Sequence, residues 1–130
     1  MRRRHLLAAL PLFGLAACQT PAAPPPPQTV VFFNADSAAL DDNAMTLIAA
    51  VATRAKASPA APVRVRGFSA PDGGSAAFNR ALAEARAQNV ADELAKGGVD
   101  RSRIRLEPRG AVPFEMMATE SRRVEVLIGQ

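Results

Sequence analysis

Three short segments that alternate apolar and charged residues constrain the fold of this chain more than any other feature. They are Val63-Arg64-Val65-Arg66, Arg103-Ile104-Arg105-Leu106-Glu107 and Arg123-Val124-Glu125-Val126. Successive side chains of a strand point to opposite faces, so each segment forms a strand with one apolar and one charged side. A sheet made of such strands is covered on one face and open on the other. A fourth run, Thr29-Val30-Val31-Phe32-Phe33, is β-branched and aromatic and is a strand by composition. Between the strands lie two helical stretches. The first is capped by Asp41 or Asp42, carries the apolar row Ala44, Ile48, Val51 and Ala55, and is closed by Pro59 and Pro62. The second runs from about Ser75 to Lys96 and ends at Gly97-Gly98. The order β-α-β-α-β-β predicts an α/β two-layer sandwich, a mixed sheet with its helices on one face. Crossover helices predict parallel neighbours, and the final two strands are expected to pair antiparallel. Arg64, Arg66, Arg103, Arg105 and Arg123 are expected on the open face, interleaved with Glu107 and Glu125 as a solvated, cross-strand-paired surface.

The first thirty residues follow a different logic. Arg2, Arg3 and Arg4 precede an apolar run of about a dozen residues, short of the ~20 that a membrane-spanning helix needs. Residues 1–17 therefore fit an export signal. The run ends in Leu15-Ala16-Ala17-Cys18, which resembles the lipobox of bacterial lipoproteins. That resemblance implies acylation of Cys18, with several acyl chains anchoring the protein effectively permanently. Gln19 after the cysteine, by resemblance to the sorting rule of such proteins, points to the outer membrane. Residues 18–28 then form a lipidated cysteine and a proline-rich tether, extended and roughly 30 Å in reach. Residues 29–130 form the folded domain, in the periplasm on this reading.

Composition removes several function classes. The formal charge of +4 falls to +1 without the three leading arginines, with 13 basic against 12 acidic residues, so nucleic acid is a poor partner. The only histidine is His5 and the only cysteine Cys18, so a domain without its leader has no imidazole and no free thiol. Histidine-assisted nucleophilic catalysis, Cys/His metal sites and disulfide stapling are excluded there. No cofactor is implied, and no enzyme is expected.

One residue stands out. In the second helix the row Leu82, Arg86, Val90, Leu94, headed by Phe78, places an arginine inside an apolar stripe. A buried guanidinium must reach an anion or escape along the surface. Structural pairing and ligand binding both remain open for Arg86. Asn79 lies near the same face, and Asp72-Gly73-Gly74-Ser75 supplies free amides just ahead of the helix. Alone that loop is a turn and an N-cap; with Arg86 it makes a carboxylate-binding corner.

Five pieces in order resemble the OmpA-like peptidoglycan-binding domain family over residues 30–128. They are Val31 with Phe33; Gly67-Phe68-Ser69; the stretch Gly74-Ser75-Ala76-Ala77-Phe78-Asn79 with Leu82 and Arg86-Ala87; Gly98-Val99-Asp100 with Arg103-Ile104; and Arg122-Arg123-Val124-Glu125-Val126. The resemblance implies non-covalent binding of the peptidoglycan stem peptide through diaminopimelate. Arg86 would hold its carboxylate, with Phe68, Ser69 and Asn79 in the same region. The family's aspartate aligns with Ala70, so either Asp72 supplies that carboxylate from a loop one residue longer or the site has lost its ammonium partner. Ser121 replaces the usual asparagine before the double arginine, and Met117 and Ala118 replace a Gly-Arg pair. The expected function is an outer-membrane lipoprotein tethering the membrane to peptidoglycan. The alternative is a degenerate domain that binds other envelope proteins; a wall hydrolase has little support.

Overall fold

Gln28, which composition assigns to the preceding segment, opens the first strand opposite Leu127. The structure is a computed structural model and describes residues 28–129. Its elements are β1 (Gln28–Phe32), α1 (Asp42–Ala57), β2 (Val63–Ser69), α2 (Ala76–Lys96), β3 (Ile104–Ala111) and β4 (Arg123–Ile128). Single 3-10 turns at Arg101–Arg103 and Ala118–Ser121 precede β3 and β4. The expected export signal, Cys18 and the proline-rich segment lie outside the described residues.

Local chemistry accounts for the helix ends. The Asp41 carboxylate accepts the Ala44 N–H at 2.7 Å, and the Ser75 hydroxyl accepts that of Phe78 at 3.1 Å. Gly98, at φ 96°, turns the chain out of α2. The predicted row Ala44, Ile48, Val51 and Ala55 is buried, as are Ala87, Val90 and Leu94 of α2. These side chains meet Val31, Val63, Val65, Val124 and Val126 from one face of the sheet. Each buried Val, Leu or Ile contributes ~1.5–3 kcal/mol relative to exposure. The expected mixed α/β sandwich, with one face covered, is therefore the fold.

The strand neighbours differ from expectation. The sheet order is β1-β4-β2-β3, with β2 and β3 parallel and β4 antiparallel to both β1 and β2. Thus β3 and β4 are not paired, and β1 and β2 are separated by the closing strand. Pro108 supplies a reason for part of this: lacking an N–H, it suits an edge strand, and β3 pairs only with β2. β4 instead carries Val124, Val126 and Leu127, all buried, and is bonded along both edges.

The open face is charged and cross-paired. Arg64 grips Glu107 bidentately at 2.6 and 3.0 Å, and Arg66 and Arg109 reach the same carboxylate at 3.1 Å. Arg123 pairs with Glu125 at 2.8 Å and covers the Phe68 ring at 4.2 Å. Arg103 departs from the expected pattern. Standing in the 3-10 turn before β3, it escapes the pleat and donates to the Ala55, Ser58 and Ala61 carbonyls at 2.7–2.9 Å. It closes the C-terminus of α1 rather than decorating the sheet.

Candidate ligand-binding site

The loops that leave β1 and β2 meet over the first half of α2, and a cavity of about 190 Å³ opens between them. Two arginines and two aspartates line it: Arg86, Arg122, Asp36 and Asp72, with Ala35, Ala70, Gly73, Asn79 and Leu82. Gly73 permits the closeness of the two loops, since a Cβ there would stand 3.2 Å from the Asp36 Oδ1. Asp36 itself sits at φ 50°, a left-handed conformation that aspartate tolerates better than most residues.

Arg86 is fully buried. Its Nε donates to the Ser37 carbonyl at 2.8 Å, Nη1 to Phe68 at 3.0 Å and Nη2 to Asn34 at 3.0 Å. The guanidinium lies 5.2 Å from the centroid of the Phe33 ring. No carboxylate among the described residues forms a salt bridge with it. Structural ion pairing, one of the two alternatives from the sequence, is not what holds Arg86: its partners are main-chain carbonyls, so the charge is solvated but not neutralised. Burial, and then the nearby Arg122 cation, lower the Arg86 pKa from 12.5 to about 10, against the opposing pull of Asp36. Arg86 remains cationic at neutral pH. A guanidinium has five N–H donors, so three carbonyl bonds leave two.

The two aspartates differ. Asp72 pairs with Arg122 at 3.2 Å across the cavity. Asp36 has no hydrogen-bond or ion-pair partner for its carboxylate among the described residues. Arg122 also borders a second hollow of similar size, shared with Phe32, Phe33, Asn34 and Ala35, so the two hollows meet at Ala35 and Arg122.

Of the residues singled out in the sequence, Arg86, Asp72 and Asn79 line the same cavity. Phe68 offers its carbonyl to Arg86 while its ring faces Arg123. Ser69 is buried and donates its hydroxyl to the Asn79 carbonyl at 2.9 Å, clamping β2 to α2. The sequence reading missed Asp36 and Arg122. Arg122 was visible only as half of an Arg-Arg pair, and no local pattern marked Asp36.

A two-layer α/β domain with a charged cavity where β1 and β2 end is the architecture that this fold and site define. The chain belongs to the OmpA family, which it matches over residues 32–125. It is similar to Outer membrane protein 40 of Porphyromonas gingivalis, with 36% identity over 98 residues. The match takes in 72% of this chain but only 26% of that protein. Among solved structures, the peptidoglycan-associated lipoprotein from Burkholderia pseudomallei superposes with a TM-score of 0.71 at 23% identity. That superposition covers 76% of this chain and 88% of the other. The OmpA-like domain of FopA1 from Francisella tularensis gives 0.68 at 23% identity, over 78% and 71% of the two chains. At these identities the structural likeness is one of fold.

Proposed function

We propose that this protein is an outer-membrane lipoprotein whose periplasmic domain binds peptidoglycan non-covalently, without catalysis, and tethers the membrane to the wall. One observation carries the reading: the Arg86 cation, buried without a carboxylate partner among the described residues, at a cavity that also bears a carboxylate unpaired among them. Such a site suits a zwitterion. The amino-acid head of diaminopimelate, in the stem peptide, has a carboxylate for the two remaining Arg86 N–H groups and an ammonium for an aspartate. Asp36 and Asp72 both border the cavity, and either offsets the loss of the aspartate expected at Ala70. Acylation at Cys18, removal of residues 1–17 and the outer-membrane location belong to this proposal, which the similarity to an outer membrane protein and to a peptidoglycan-associated lipoprotein supports.

The test is sedimentation of the unacylated chain, residues 19–130, with diaminopimelate-containing sacculi. Wild type is expected in the pellet, and Arg86→Lys weakened at least ten-fold after its folding is checked by circular dichroism. Asp36→Asn and Asp72→Asn separate the two candidate ammonium acceptors. Wild type remaining in the supernatant overturns the reading.

A second reading, an envelope protein-interaction module, has its own support. Phe114, Met116 and Met117 stand 37%, 85% and 64% exposed on the loop between β3 and β4. Capture of an envelope protein that Met116→Ser and Met117→Ser abolish, without sacculus binding, favours it.

A further inference from the structure

Charge is unevenly distributed along the strand axis. Both helices end, and both β2 and β3 begin, at the end of the domain where the chain enters β1. Arg54 and Lys56 close α1, and Lys96 closes α2. Arg101 and Arg103 follow, and Arg64 and Arg105 are the second residues of β2 and β3. These seven cations face four carboxylates, Asp92, Glu93, Asp100 and Glu107, a net +3. The remaining described residues carry six cations and eight carboxylates, a net −2. The asymmetry is not removed by pairing. Lys56 and Arg105 form no ion pair among the described residues, and Arg54 bonds only the Thr29 hydroxyl. Arg105 is also the register partner of Arg64, a like-charge neighbour that a bound anion would relieve.

The cavity lies at the other end of the strands, and β2 is seven residues long, which separates the two ends by roughly 20 Å. We infer that the chain-entry end is a docking surface for an anionic phospholipid bilayer, holding the cavity away from the membrane. Charge complementarity selects the class of partner, and the chain's point of entry selects the membrane. If Cys18 is the anchor, as proposed above, nine residues join it to Gln28. That is a reach of roughly 30 Å, short enough to hold this end near the headgroups. A short tether supplies a high effective concentration, so weak electrostatic attraction suffices. Only the supply of the membrane rests on the proposed anchor; the surface charge does not.

The experiment is vesicle co-sedimentation of unacylated residues 19–130. Vesicles of phosphatidylglycerol mixed with phosphatidylcholine are compared with phosphatidylcholine alone. Binding to the anionic vesicles only, weakened by salt, is expected. The triple variant Arg54→Gln, Lys56→Gln, Arg105→Gln should lose about two orders of magnitude, roughly five-fold per cation. Arg80→Gln, an exposed charge near the start of α2, should bind as wild type. Sacculus sedimentation of the triple variant should be unchanged, which keeps this inference separable from the proposed function. Equal binding to both vesicles, no binding, or equal loss with Arg80→Gln overturns it. Binding to polyglutamate but not to vesicles, lost in the triple variant, assigns the surface to an acidic protein instead.

Discussion

Arg86 and Arg103 each direct a guanidinium at three main-chain carbonyls, and in doing so tie loop and helix-end backbone to the rest of the domain. Arg86 joins the loop after β1 to the end of β2, so the floor of the cavity is also a structural joint. Arg103 adds a charged donor to the Ala55 and Ser58 carbonyls, which the Ser58 and Ala61 N–H groups also reach, and holds the Ala61 carbonyl beyond the helix end. Arg103→Met should therefore lower stability by about 2–3 kcal/mol in urea denaturation. Arg86→Met should lose more, about 3–5 kcal/mol, because its carbonyls are left in a buried setting. An equal, sub-kcal/mol effect at both positions would contradict these roles. A truncation of Arg86 also confounds any binding test, which is why Asp36 and Asp72 are the cleaner probes of the ligand.

At the level of elements, β2 and α2 are brought together by an absent side chain. A Cβ on Gly67 would stand 2.0 Å from the Ala83 carbonyl oxygen, so the helix backbone rests directly on the strand. Gly67→Ala should cost about 3 kcal/mol, visible as a lowered urea midpoint with an unchanged slope. The open face of the sheet behaves differently, since its order is electrostatic. Hydrogen bonding from Arg64, aided by Arg66 and Arg109, lowers the Glu107 pKa from 4.5 to about 2. A depressed carboxylate stabilises the fold above its unfolded pKa and loses that contribution as pH falls from about 4.5 toward 2. Melting temperatures should accordingly fall across that window in wild type, and fall less in Glu107→Gln. A wild-type profile that stays flat to pH 2 would remove this role for Glu107.

The whole molecule depends on its last strand, because β4 is the only connection between β1 and the β2–β3 pair within the sheet. A chain truncated after Arg122 should lack cooperative thermal unfolding by circular dichroism; a sharp transition would show that β1 and β2 can join without it. Sequence by itself determined the element order, the buried faces of α1, β2 and β4 and the helix ends, because periodicity and capping are set by neighbours a few residues apart; on the edge strand β3 the apolar Leu106 stays 40% exposed. It also singled out Arg86, since a charge in an apolar row is anomalous whatever surrounds it. The place of β4 between β1 and β2 was decided by tertiary structure, as alternation fixes which face of a strand is buried but not which strand lies beside it. The same holds for Arg103, whose position in a turn freed it from the pleat. It holds for Asp36 and Arg122, which are 86 positions apart in the sequence and border one cavity only because two loops converge over α2.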